Sequence, residues 1–487
     1  MSPKILWKFS TLLLAVIWLG SCQKQFDEKQ EDAFQNTEKN NGLAPVGFVE
    51  NDMVLHWNEN VSKVVAFAAG PPPVVTRHFI MAQIAVYDAL NSIKPKYKTY
   101  ALMDTREKNA DPDAAVASAA YWTFIKLDAY LKTLPPSPVG LPLQTSGNDW
   151  NGWYAASLAG IAEGEAKDAG IALGKLAADA IMAKRANDNY ATARVSYPPP
   201  YVPIPLVIGQ YRQTFAAHPA VPANHNGGLP LWGTQMKTFA GMSNDQFRSA
   251  APPSVLSGEY TTDYNEVKSL GARVGSTRNA DQTIIANFWE ETPVNIWNRF
   301  CRNVILTKKI DAWRTARLLA IANTCIFDGF VTSFDGLFHY YRWRPESAIQ
   351  SGDIDGNDQT AGIVDWFPFV TNIKPPVPNP NPAVIKGAYT PPIPEYPNPN
   401  AAIGSAVAKT LQLFFETDKT DVSLTTQDVT TNGTTRNYYS FSQAANENFD
   451  SRIYAGFNFR YSMNAGDQIG KEVASYVFDH VFGENDE

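Results

Sequence analysis

The chain has 487 residues, with 41 Lys and Arg against 48 Asp and Glu, for a formal charge of −7. That acidic balance excludes an electrostatic nucleic-acid binder, because phosphate backbones are captured by clustered cations. With 44% hydrophobic and 12% aromatic residues, the chain is long enough to bury one large core or two fused halves.

Lys4 and Lys8 head an apolar run from Phe9 to Leu19 that is too short to span a bilayer stably, and Leu19-Gly20-Ser21-Cys22 closes it. The segment resembles a bacterial lipobox. The resemblance implies a signal peptide over 1–21 and acyl chains on Cys22. The membrane is then a partner through that anchor, and the protein belongs to the outer membrane or cell envelope, periplasmic or surface-exposed. A soluble secreted protein is the alternative. Cleavage removes two lysines and moves the charge from −7 to −9. Residues 22–45 are polar, charged and poor in branched apolar residues, which reads as a flexible tether, so the folded domain is expected over 46–487.

Helical spacing dominates that domain. Val75, Phe79, Ala82, Val86, Ala89 and Ile93 recur at three or four residues after Pro71-Pro72-Pro73, which predicts an amphipathic helix with proline at its start. Asp113 to Leu131 and Ala159 to Arg185 are Ala-rich helix candidates. Ile310 to Phe338 has no polar face around Leu318-Leu319-Ala320-Ile321-Ala322, so it is expected at the centre of a bundle. Cys301 and Cys325 lie in helical sequence and read as two buried free thiols; the chain shows no metal-ligand spacing of cysteines.

A Pro/Asn-rich connection, Ile373 to Asn400, cannot continue a helix and should run extended over the surface or a pocket mouth. Helix resumes with Ile403, Ala406, Val407, Leu411 and Phe414 on one face. Val422 to Phe441 is β-branched and aromatic on either side of Asn432-Gly433, which predicts a small β-hairpin. A final helix is expected after Asn464, with Asn464 as cap and Asp467 three residues on. The whole reads as two helical halves, about 46–250 and 278–487.

Three stretches of the second half carry chemistry: LFHYYRWRPESAI (337–349), YPNPNAAIGSA (396–406) and SRIYAGFNFR (451–460). In this order they resemble the vanadium-dependent haloperoxidases and the type-2 phosphatidic acid phosphatases. Those families place a lysine seven positions before the arginine of an Arg-Pro pair, then Pro-Ser-Gly-His, then Ser-Arg followed by Gly and His. The resemblance extends to PPPVVTRHFIMAQIAVYDA and the last helix, and implies an all-α fold of two helical-bundle halves with vanadate as the family cofactor.

The match is selective. Arg344-Pro345 and Ser451-Arg452 with Gly456 stand at their family positions. The lysine is Leu337, Pro-Ser-Gly-His has become Pro397-Asn398-Pro399-Asn400, and the histidine that would bond vanadium or attack phosphorus is Asn458. A carboxamide has neither an imidazole lone pair for vanadium nor a nucleophile or acid near neutral pH, and Pro399 has no N–H for an oxyanion. Arg344 and Arg452, with Asn398, are candidates for a residual anion pocket, or else pair with acidic groups and cap helices. No cofactor is expected. The implied function is binding or structural, for a small anion or polar ligand, with a hydrolase or haloperoxidase of altered chemistry as the alternative.

Other candidates are weaker. His339 is two residues from position 337 and faces another side of its helix. His218 and His225 lack a nearby carboxylate for a metal site, and Asp353, Asp355, Asn357 and Asp358 lack the closing glutamate of a calcium loop. Tyr340 to Trp343 is an aromatic run with a core role or a glycan- or peptide-binding one.

Overall fold

The computed structural model describes residues 53–67, 71–135, 149–195, 206–212, 228–370, 390–427 and 433–484. Cys22 and the leader, the tether, His218, His225, most of the proline-rich connection and Asn432 lie outside the described residues.

Fifteen α-helices and one hairpin make up the described chain. The first half holds α1 (Met53–Phe67), α2 (Pro72–Ile93), α3 (Pro112–Thr133), α4 (Trp150–Ala159), α5 (Glu165–Lys184) and two single-turn helices, α6 (Tyr190–Ala193) and α7 (Trp232–Gln235). Then come α8 (Gly258–Leu270), α9 (Ala280–Phe288), α10 (Pro293–Lys308), α11 (Ala312–Tyr340) and α12 (Pro345–Gln350). The second half closes with α13 (Pro399–Phe415), β1 (Lys419–Thr425), β2 (Thr435–Ser440), α14 (Phe441–Tyr454) and α15 (Arg460–His480).

Starts follow from caps. Asp111 accepts the Ala114 N–H ahead of α3, Asp311 accepts that of Arg314 ahead of α11, and Asn279 forms a capping box with Gln282 ahead of α9. Two expected boundaries move. Ala159 to Arg185 is not one helix: α4 stops at Ala159, and Gly164 at φ +146°, a value reserved for glycine, restarts the chain into α5. The last helix begins at Arg460 with Phe459 as its cap, so Asn464 sits inside it. Its early start is set by tertiary contacts, since Asp263 of α8 accepts the Tyr461 N–H at 2.6 Å. The hairpin pairs β1 with β2 antiparallel and starts three residues before the expected Val422; its end, Phe441, already belongs to α14.

The two central helices, α2 and α11, pack on each other; α3 and α5 lie on α2, and α13 and α15 on α11. One hydrophobic cluster runs from Val54 to Phe482 through both groups. Helix α11 is long and apolar enough to cross a membrane, but its most apolar stretch is 100% buried inside the protein, which identifies it as the core helix its all-round apolar sequence implies. Cys301 and Cys325 are buried free thiols, and burial pushes both up to about 12.

Candidate functional site

The three motifs converge where α11 ends, α13 begins and α14 turns into α15. Helix α11 stops because Tyr341 adopts a left-handed backbone at φ +52°. Arg342 then bridges antiparallel to Gln210, with the Tyr211 N–H donating to the Tyr341 carbonyl and the Trp343 N–H to that of Gly209. Pro345 opens α12 in the first-turn position that needs no N–H donor. Arg344 is thereby fixed on a buried ledge.

Its guanidinium is spent on the main chain. Nε donates to the Ile393 carbonyl at 2.8 Å, Nη1 to Phe457 at 3.1 Å and Nη2 to Pro394 at 3.1 Å. Burial pulls its pKa down to about 10, with Glu395 pulling the other way. Arg452, near the end of α14, makes a 2.7 Å ion contact with Glu290, donates Nη2 to the Trp289 carbonyl at 2.7 Å and Nε to Ser451 Oγ at 3.2 Å. Both guanidiniums thus face protein groups, one of them carbonyls and the other a carboxylate.

The asparagines divide by role. Asn398 is the N-cap of α13, its side-chain oxygen accepting the Ala401 N–H at 2.9 Å, and its own N–H donates to Ser462. Asn400 lies half-buried in the first turn, and its carbonyl accepts from the Asn448 side chain at 3.0 Å. Asn458 is fully buried, and its Nδ2 donates to Glu395 Oε1 at 3.1 Å. Gly456 makes the turn that brings Asn458 there: its φ is +85°, and a Cβ at this position would collide with the Gly271 carbonyl and Pro368.

Glu395 opens the second motif, yet its chemistry was not legible there as a site. Its side chain is 0% exposed. Oε1 accepts both the Asn458 amide and the Phe459 N–H, the latter at 3.0 Å, while Oε2 has no hydrogen-bond partner among the described residues. Burial raises its pKa to about 7, opposed first by the Arg344 charge and then by the Phe459 and Asn458 hydrogen bonds. The available sequence signal was a lone glutamate in an apolar, proline-rich run, a poor setting for a solvated charge.

Leu337 is fully buried in the main cluster, and Gly336 beside it lets the Pro397 ring pack on α11, where an added Cβ would lie 2.6 Å from Pro397 Cδ. Trp343 is fully buried, whereas Tyr340 and Tyr341 are half-buried, packed against Tyr396 and Tyr211. His339 is exposed. In the acidic turn Asp355 takes the Asn357 N–H and the Thr360 hydroxyl, and Asp353 the Gly362 N–H; among the described residues no metal-ligating group of three forms.

A cleft of about 810 Å³ opens between Lys184, Lys237 and Arg248 and reaches Asp335 of α11, two residues before the first motif.

Residues 317–485 match the family model described as the VCPO second helical-bundle domain. Among solved structures, a bacterial vanadium-dependent iodoperoxidase superimposes with a TM-score of 0.67 at 20% identity, covering 89% of this chain and 97% of that one. The apo form of a bacterial vanadium-dependent chloroperoxidase gives 0.61 at 13% identity, covering 85% and 96%. A holo form gives 0.60 at 15%, covering 88% and 96%. No curated protein matches the sequence.

Proposed function

We propose that this chain, which has the helical-bundle fold of the vanadium haloperoxidases, is an envelope-anchored lipoprotein without vanadate-dependent catalysis, serving as a binding or structural protein. The observation that carries this reading is the Asn458 amide, which donates 3.1 Å to a buried carboxylate at the position where the fold's chemistry needs an imidazole.

The residues present do not fit vanadate. A carboxamide nitrogen has no lone pair to offer a metal. Leu337 puts a fully buried alkyl group where a cation is needed, Pro399 removes a backbone donor, and the Glu395 carboxyl already takes the Asn458 amide. Each missing charge-assisted contact is worth roughly 1.5 to 3 kcal/mol when buried. Losing the cation and the backbone donor together therefore weakens oxyanion binding by about a hundredfold or more.

The test is bromide oxidation by peroxide with added orthovanadate, and vanadate-dependent thermal stabilisation of the full-length chain. Neither is expected, and turnover in the first assay ends the reading. Anchoring is tested separately by Cys22→Ala, which should move the protein from the membrane fraction to the soluble one.

The alternative, a phosphatase-type hydrolase with altered chemistry, has one observation on its side: Glu395 titrates near 7, where a general base works best. Its complete burial stands against it. Hydrolysis of p-nitrophenyl phosphate that disappears in Glu395→Gln supports this second reading, and activity indifferent to that change removes it.

A further inference from the structure

We infer that Glu395 is the protein's own occupant of the anion cradle, a side-chain carboxylate seated where the fold otherwise receives a free oxoanion. The inference rests on the preceding reading and deepens it by naming what fills the site.

Four observations converge on this. The only side-chain donor left at the position of the vanadate-bonding imidazole, Asn458 Nδ2, points at Glu395 Oε1. The first free N–H of α15, that of Phe459, points at the same oxygen, as a helix N-terminus does toward an anion. Arg344 acts on Glu395 as its favourable charge, and Arg342, held by the Tyr461 hydroxyl at 3.3 Å, senses Glu395 as well. Oε2 is buried and has no hydrogen-bond partner among the described residues, although the Ser462 hydroxyl is near enough to favour the charged form.

The backbone holds the occupant in place. The Glu395 N–H donates to the Arg342 carbonyl at 2.9 Å, and the Ser462 hydroxyl donates to the Glu395 carbonyl at 2.8 Å. Residue 395 is thus tied both to the segment bearing Arg344 and to α15. Around it Tyr396, Phe459 and Tyr461 stack with centroids 5.2 to 5.8 Å apart, which keeps water from competing for the cradle. A free anion entering this site has to displace the carboxylate and finds a like charge if it does not.

Removing the carboxylate should therefore uncover a small anion site lined by the Asn458 amide and the Phe459 N–H, with the Arg344 charge acting on it from its place among the carbonyls. Its size suits a formate, and its charge suits phosphate or orthovanadate. In the full-length chain solubilised in detergent, thermal unfolding is followed with added formate, phosphate or orthovanadate against chloride at equal ionic strength. The wild type is expected to show no shift with any of them. Glu395→Ala is expected to rise by about 2 °C at ten times the dissociation constant of whichever anion it takes. Adding Arg344→Gln should abolish that gain.

The outcomes separate the two claims. A wild type stabilised by orthovanadate overturns both this inference and the loss of vanadate binding. A silent wild type with an equally silent Glu395→Ala overturns this inference alone. Should Glu395→Ala be unfolded in plain buffer, recovery of the fold in formate or phosphate supports the inference, and failure in all three anions overturns it.

Discussion

Asp88 on α2 and Glu395 ahead of α13 are both fully buried carboxylates that accept main-chain N–H groups, yet they are finished differently. Asp88 takes the N–H groups of Tyr100, Ala101 and Leu102 with its two oxygens, clamping the loop that follows its helix. Asp328 on α11, exactly as buried, takes those of Phe239 and Ala240, one on each oxygen. The two aspartates stand 328 − 88 = 240 residues apart, as do Arg77 and Arg317, and Ala82 and Ala322. Their loops meet where the Tyr100 hydroxyl donates to the Phe239 carbonyl. Glu395 uses one oxygen and leaves the other unpartnered. The two aspartates are locked by both oxygens, whereas Glu395 is held through one, as the proposed stand-in for an anion would be.

The sharpest way to break this contrast is to delete the clamps. Asp88→Ala strands three N–H groups, one buried and two half-buried, and should cost about 2 to 4 kcal/mol in urea unfolding; a loss under about 1 kcal/mol would show that the loop satisfies itself elsewhere. A finer test uses amides, compared at pH 5.5. Asp328→Asn has to turn an NH₂ toward one of two N–H donors and should cost about 1 to 3 kcal/mol. Glu395→Gln can place its NH₂ at the unpartnered oxygen and should stay within about 1 kcal/mol. Equal losses would erase the distinction.

Titration gives a third handle. The Glu395 pKa rises from 4.5 to about 7 on folding, so the folded state holds the proton more tightly. Its contribution is fully present below pH 4.5 and is lost as pH rises through 7. Unfolding free energy should therefore fall between pH 5 and pH 8, by an amount on the order of 2 kcal/mol for this group. Glu395→Gln should lessen the slope by that share, leaving the part due to Asp328, Asp88 and Asp263, whose pKa values burial also raises, and an unchanged slope would assign the titration to those groups. The smallest expected effect tests the helix boundary. Asn464→Ala, inside α15, should stabilise by about 0.5 kcal/mol through propensity, whereas a residue that capped the helix would cost about 1 kcal/mol on losing its side chain.

Much of the fold was legible because helix-forming signals are local. The stripe from Val75 to Ile93, the all-round apolar run of α11 and the antiparallel pairing of the β-branched stretches each appear where spacing and composition put them. Boundaries slipped where a distant partner decides them. Asp263 of α8 lets α15 begin at Arg460, and no residue near 464 records that. At the site, the positions of Arg344, Arg452, Asn398, Asn400 and Asn458 could be numbered from the motifs, but not their partners. Arg344 and Arg452 have guanidiniums identical in chemistry, and only their surroundings give one to carbonyls and the other to Glu290.

By itself the sequence determined that the chain is helical and that α11 is its centre, because residue type and short-range spacing suffice for both; the resemblance of its motifs placed Asn400 and Asn458 among the site candidates. The tertiary structure alone decided what those carboxamides hold. Glu395 and Asn458 are separated by 63 residues, and a carboxylate buried between chain segments that far apart acquires its charge state and its role from the groups that folding brings to it.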